Sequence, residues 1–168
     1  ASVAVVGAVH FGATRMQGNA ENTLGLLQAT PVVEMPAVAA SLVQKAKGVD
    51  RATAVQEVIK DTLALDRACT LPYVVSAICR QAPDMAAETV MCDVKSQPQD
   101  SVACLRSGVA AAPQQLDAII LAMVKEYPEA YAGIAYFAAQ QLPEKASAIL
   151  NAVGQAMPAL QPHVQQAL

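Results

Sequence analysis

The most reactive side chains in this 168-residue chain are four cysteines, Cys69, Cys79, Cys92 and Cys104, and their gaps of 10, 13 and 12 limit what they can do. No C-x-x-C occurs, so a zinc ribbon or a thioredoxin-like redox motif fails on spacing. An even number permits two disulfides in an oxidising compartment. Four small buried thiols is the competing account, since free Cys is among the most buried residue types. The two histidines, His10 and His163, stand near opposite ends. A nucleophile–His pair would need a fold that joins the termini, and two surface or terminal histidines is the simpler account. Carboxylates able to act as acid and base, Asp61 with Asp66 or Glu126 with Glu129, flank helix ends, where the helix dipole and solvent explain them. Phosphate-binding glycine loops, H-E-x-x-H and G-x-S-x-G are absent. No catalytic, cofactor-binding or metal-ligand set emerges, and the chain reads as a non-enzyme without a cofactor.

Two further features bear on chemistry. Asp93 occupies a position that the surrounding pattern reserves for apolar residues. Buried there it needs a partner, and Arg106 and Lys95 are near in sequence; a unit facing an irregular N-terminal cap is the simpler account. Tyr127, Tyr131, Tyr136 and Phe137 lie within eleven residues. Exposed tyrosines suit binding surfaces, whereas buried ones would fill gaps between Ala-rich helices. These four are the candidate interface residues.

The elements that position these side chains are repeats marked by proline. Pro83, Pro98, Pro113, Pro128, Pro143 and Pro158 recur at intervals of fifteen, six of the ten prolines in one register. Counting each proline as position one, position seven holds Thr89, Cys104, Ile119, Ile134, Ile149 and Val164, and position eight holds Val90, Leu105, Ile120, Ala135, Leu150 and Gln165. Positions eleven and twelve are mostly apolar or small. This is one apolar stripe on a helix. Proline suits the first helical turn, where its missing N–H has no partner in any case, and it turns the preceding residue away from helical geometry. Each unit is therefore a helix of about eleven residues, roughly 16 Å long, and the spacing predicts helices over residues 84–95, 99–110, 114–125, 129–140 and 144–155. Helices this short are marginal alone and must stack, with successive ones antiparallel across their tight turns. In such a hairpin Cys92 and Cys104 fall level across the turn at Gln97–Pro98, within disulfide reach. Cys69 and Cys79 form a second candidate bridge.

The register continues backwards, less clearly, through frames 68–82 and 53–67. Asp50 is a candidate N-cap, Pro36 to Lys47 reads as a helix stopped by Gly48, and Asn19 to Ala29 reads as a short helix. The fold class is thus all-α, a solenoid-like array of short antiparallel helices with a 15-residue, proline-punctuated repeat. Residues 1–18 form an apolar N-terminal segment, an arm, targeting remnant or interface, and residues 19–168 form the helical repeat domain, regular from 83.

Hydrophobic residues make up 54% of the chain and charged residues 15%, so its apolar surface must be buried internally or shared with a partner. The net charge of −3, with basic residues scattered, argues against nucleic acid and against polybasic membrane docking. Residues 1–14 carry no charge. They resemble the apolar stretch of a signal peptide but are too short to span a bilayer, so membrane contact is confined to this segment. With the even cysteine count, they suggest an extracytoplasmic location, periplasmic, secreted or cell-surface. The expected function is a non-enzymatic structural or protein-interaction subunit, part of a homo-oligomer or larger assembly; the alternative is a small extracytoplasmic carrier holding an apolar ligand between helices.

Overall fold

A computed structural model describes residues 23–167 of the chain. The N-terminal segment 1–18, residues 19–22 and His10 lie outside the described residues. Within them the chain is an all-α repeat array without strands. The helices are α1 (23–29), α2 (Met35–Lys45), α3 (Asp50–Ala64), α4 (Leu71–Gln81), α5 (Ala86–Ser96), α6 (Ser101–Ala111), α7 (Leu116–Glu126), α8 (Tyr131–Gln141), α9 (Ala146–Ala156) and α10 (Gln161–Ala167).

The repeat has a single local cause. From Pro83 onward each unit opens with a three-residue 3-10 turn starting at its proline, runs into the α-helix, and is joined to the next by one residue. These linkers, Ala82, Gln97, Ala112, Tyr127, Leu142 and Met157, share φ between −138° and −125° and ψ between 64° and 84°. The proline that follows each of them disfavours helical geometry there. Each linker still closes the helix behind it, as Gln97 N donates to Asp93 O at 2.8 Å, and opens the turn ahead, as Asp100 N donates to Gln97 O at 3.0 Å. Both linker backbone groups are satisfied, so a one-residue break leaves no orphan.

This linker sets the crossing angle. The segments Pro98–Ala111 and Pro113–Glu126 turn by 109°, an opposed but splayed arrangement rather than a closed hairpin. The close neighbours are helices two apart. α2, α4, α6 and α8 pack successively in one layer, and α3, α5, α7 and α9 in the other. The second layer also carries cross-helix polar contacts. Arg51 pairs with Asp84, Gln56 Nε2 donates to Glu88 Oε1 at 3.3 Å, and Lys95 meets Glu126 at 3.0 Å.

The core lies between the layers. One buried cluster runs from Leu27 through Met35, Val58, Ile59 and Leu71 to Ala82. The other runs from Val75 through Val90, Ile119 and Ile134 to Val153. Ile119, Ile120, Ile134 and Ile149 are buried as the stripe requires, while Leu150 is half-buried. At Gly108 the helices come so close that any Cβ would run into the Val90 side chain. At the N-terminal end, Arg67 Nη1 donates to the carbonyls of Leu27 and Thr30, both at 3.0 Å, securing the C-terminal end of α1. Gly48 stands in the turn after α2 at φ 57°, the left-handed geometry expected of a stop. Asp50 is the first residue of α3 rather than its cap, and no side chain caps that helix.

Candidate functional site

The sequence directs attention to position eleven, where Asp93 departs from the pattern. Its counterparts Ile78, Gly108, Met123, Ala138 and Val153 are all buried. Asp93 is buried as completely as any of them, at 0% exposure. The expected basic partners are not there: Arg106 is exposed and Lys95 pairs with Glu126 instead. Neither carboxylate oxygen accepts a hydrogen bond of good geometry. The groups around it are the Cys104 thiol on α6, Asp100 in the turn before α6, and Cys79 on α4. Burial raises the Asp93 carboxyl above its usual range, contact with the Cys104 thiol opposes this, and the negative charge of Asp100 raises it further.

The same environment governs the thiols. Burial, then the Asp93 carboxylate, pushes Cys79 up to about 12. Burial, then Glu88 and Asp93, pushes Cys92 up to about 11. Cys104 is raised too, by burial first and by Asp93 next. A thiol held protonated is a poor nucleophile, so these three are inert at neutral pH, and Cys69 is the exposed one.

The four cysteines are free, and among the described residues no two lie at disulfide distance. The candidate Cys92–Cys104 and Cys69–Cys79 bridges are therefore not formed. The physical reason is the splay at the linkers, because residues level in a closed hairpin diverge when consecutive helices cross obliquely. Cys92 packs against the N-terminal cluster and Cys104 belongs to the other.

Beside this group a cleft of about 230 Å³ opens between the starts of α4 and α6, lined by Cys69, Leu71, Pro72, Gln97, Asp100, Ala103 and Cys104. Asp93 does not line this cleft, although Cys104, which does, is in contact with it. Among the described residues no group of three or more His, Cys, Asp or Glu is arranged to hold a metal ion.

The other singled-out residues are dispersed. Asp61 is nearly buried, its carboxyl raised by burial against the lowering effect of Lys60, while Asp66 is exposed. Glu126 is engaged by Lys95 and Glu129 is exposed. His163 is exposed and borders an apolar cleft of about 290 Å³ between α8, α9 and α10. Of the aromatic group, Tyr136 is exposed, with Phe137 edge-to-face at 5.6 Å and the Gln140 amide donating to its hydroxyl at 2.8 Å. Tyr127, Tyr131 and Phe137 are half-buried against the core.

The sequence pattern did not single out the outer face of α2 and α4. There Val32, Val33, Pro36, Thr70, Tyr73, Ser76, Ala77 and Arg80 line an open groove of about 490 Å³. Val33 is 88% exposed and Tyr73 69%. The available signal was Tyr73 at position six of its frame, a position filled elsewhere by Glu88, Ala103, Ala118 and Gly133, none of them buried.

No protein-family model, curated protein or solved structure matches this chain.

Proposed function

We propose that this chain is a non-enzymatic structural or protein-interaction subunit that works through association with itself or within a larger assembly. The observation that carries this is the α2–α4 groove, where Val33 and Tyr73 stand largely in solvent on a chain with few charges. Contiguous exposed apolar surface of this kind marks interaction sites, and a repeat array extends such a surface by stacking. The exposed Tyr136 supplies a second aromatic contact on the even layer. Sedimentation velocity on the chain over a wide concentration range tests the reading, alongside Val33→Asp and Tyr73→Asp. Concentration-dependent association that either variant weakens at least tenfold is expected. A wild-type chain that stays monomeric throughout, or variants that associate as well as it does, would contradict self-association through this groove.

The carrier alternative draws on the apolar cleft lined by Tyr131, Ala132, Ala135, Leu150, Val153, Leu160, His163 and Val164, a size suited to a small apolar ligand. An extracytoplasmic location now leans on residues 1–14 alone, because the free thiols give it no support.

A further inference from the structure

We propose that the cleft between α8, α9 and α10 binds a small uncharged aromatic molecule with one hydrogen-bonding group, of the class of a simple phenol. This rests on the carrier alternative and names the ligand class of that cleft.

The repeat itself provides the control. The same junction two helices earlier lies between α6, α7 and α8, so each lining position has a counterpart. Position eight is Val75, Val90, Leu105 and Ile120 in the four units before α8 and Leu150 in the one after it, but α8 carries Ala135. Val102 also gives way to Ala132 at position five, and Met123 to Val153 at position eleven. The walls thus lose side-chain bulk at three points. At the rim the change runs the other way, with Tyr131 in place of Ser101 and His163 in place of Gly133. A cleft of about 290 Å³ opens where the earlier junction buries Leu105, Ile120, Met123 and Ile134. An apolar molecule seated in it takes the place of the bulk that Leu105 and Met123 supply one junction earlier.

The lining selects the chemistry. No Asp, Glu, Lys or Arg borders the cleft, so a charged ligand would lose hydration there without meeting a counter-charge. Tyr131 belongs to the α8 wall and His163 to the α10 wall, and a flat ring between them can stack or meet an edge on either side. Neither the Tyr131 hydroxyl nor the His163 imidazole is engaged by another side chain among the described residues, so both can serve a hydroxyl on the ligand. His163 is exposed and Val153 buried, which makes the cleft polar at its mouth and apolar at its floor, the usual division in a small-molecule site. The cleft at the starts of α4 and α6 is the corresponding junction four helices earlier. There Leu71 and Ala103 hold the places of Tyr131 and His163, and Asp100 that of Leu160, so it should not take this ligand.

The test is an NMR titration of the full chain with p-cresol, with methylcyclohexanol as its ring-saturated counterpart and p-toluate as its anionic one. Amide signals of Ala132, Ala135, Val153 and Val164 should move with p-cresol, and those around Ala103 should stay still. Binding should be at least fivefold weaker for either counterpart and in Ala135→Leu, which installs the residue that the Pro98 unit carries as Leu105. It should be about twofold weaker in His163→Ala, which alters only an exposed residue. Methylcyclohexanol or p-toluate binding as tightly as p-cresol would overturn the ligand class and leave the carrier alternative standing. Signals unmoved by all three probes, or p-cresol binding unaltered in both variants, would overturn the class and the carrier alternative together.

Discussion

The units that begin at Pro83 and Pro113 have the same backbone and bury different chemistry. Both open with a 3-10 turn, both run eleven residues of α-helix, and both end on an extended linker, Gln97 at φ −138°, ψ 75° and Tyr127 at φ −126°, ψ 66°. At positions seven, eight, eleven and twelve the first buries Thr89, Val90, Asp93 and Val94, and the second buries Ile119, Ile120, Met123 and Val124. Proline and the linker hydrogen bonds fix the frame, so the four inward positions can vary without disturbing it. The Pro113 unit uses them for cohesion. The Pro83 unit gives one to a hydroxyl that bonds its own helix, Thr89 Oγ1 to Met85 O at 2.7 Å, and one to a carboxyl without a satisfactory partner.

The contrast breaks most sharply in the cohesive unit. Ile119→Ala should destabilise the chain by about 2–5 kcal/mol, since Ile119 is fully buried; urea denaturation measures it. A loss under roughly 0.5 kcal/mol, the scale of surface substitutions, would mean that the stripe is not the core. At the other extreme, Tyr136→Ser on the outer face of α8 should change stability by no more than about 0.5 kcal/mol in the same assay. A larger loss would assign Tyr136, through its edge contact with Phe137, to cohesion instead of to a binding surface.

Much of the frame was legible because proline acts locally. A missing N–H and a restricted preceding residue mark every turn from Pro83 to Pro158 without reference to the rest of the fold. The alternation of layers was less so. The period fixes where the chain turns, but the crossing angle follows from the ψ of one linker residue, which composition does not reveal. The cysteine pairing inherited that gap, because it assumed a closed hairpin where the helices splay. Asp93 stood out as a break in the apolar pattern, yet its lack of a cation was invisible while Lys95 and Arg106 seemed near enough to serve. Lys95 goes instead to Glu126, 31 positions further on, across to α7. The Val33–Tyr73 groove was hidden because exposure there depends on which helix faces α2 and α4 do not use against their neighbours.

Whether the frame tolerates Asp93 or depends on it is decided by Asp93→Val, the residue that the Pro143 unit places at the same position as Val153. Folding raises the Asp93 carboxyl above its unfolded value. Its contribution to stability is therefore fully present below the ordinary carboxylate range, and is lost as pH rises through the raised folded value. Urea denaturation of the two proteins from pH 4 to pH 8 should show the valine variant gaining on the wild type as pH rises, to an advantage of about 1–3 kcal/mol at pH 8, the scale for burying a polar group without a partner. A valine variant that is less stable at every pH, or a difference that does not change with pH, would show that Asp93 holds the array together and that position eleven is not simply an apolar site carrying a carboxyl.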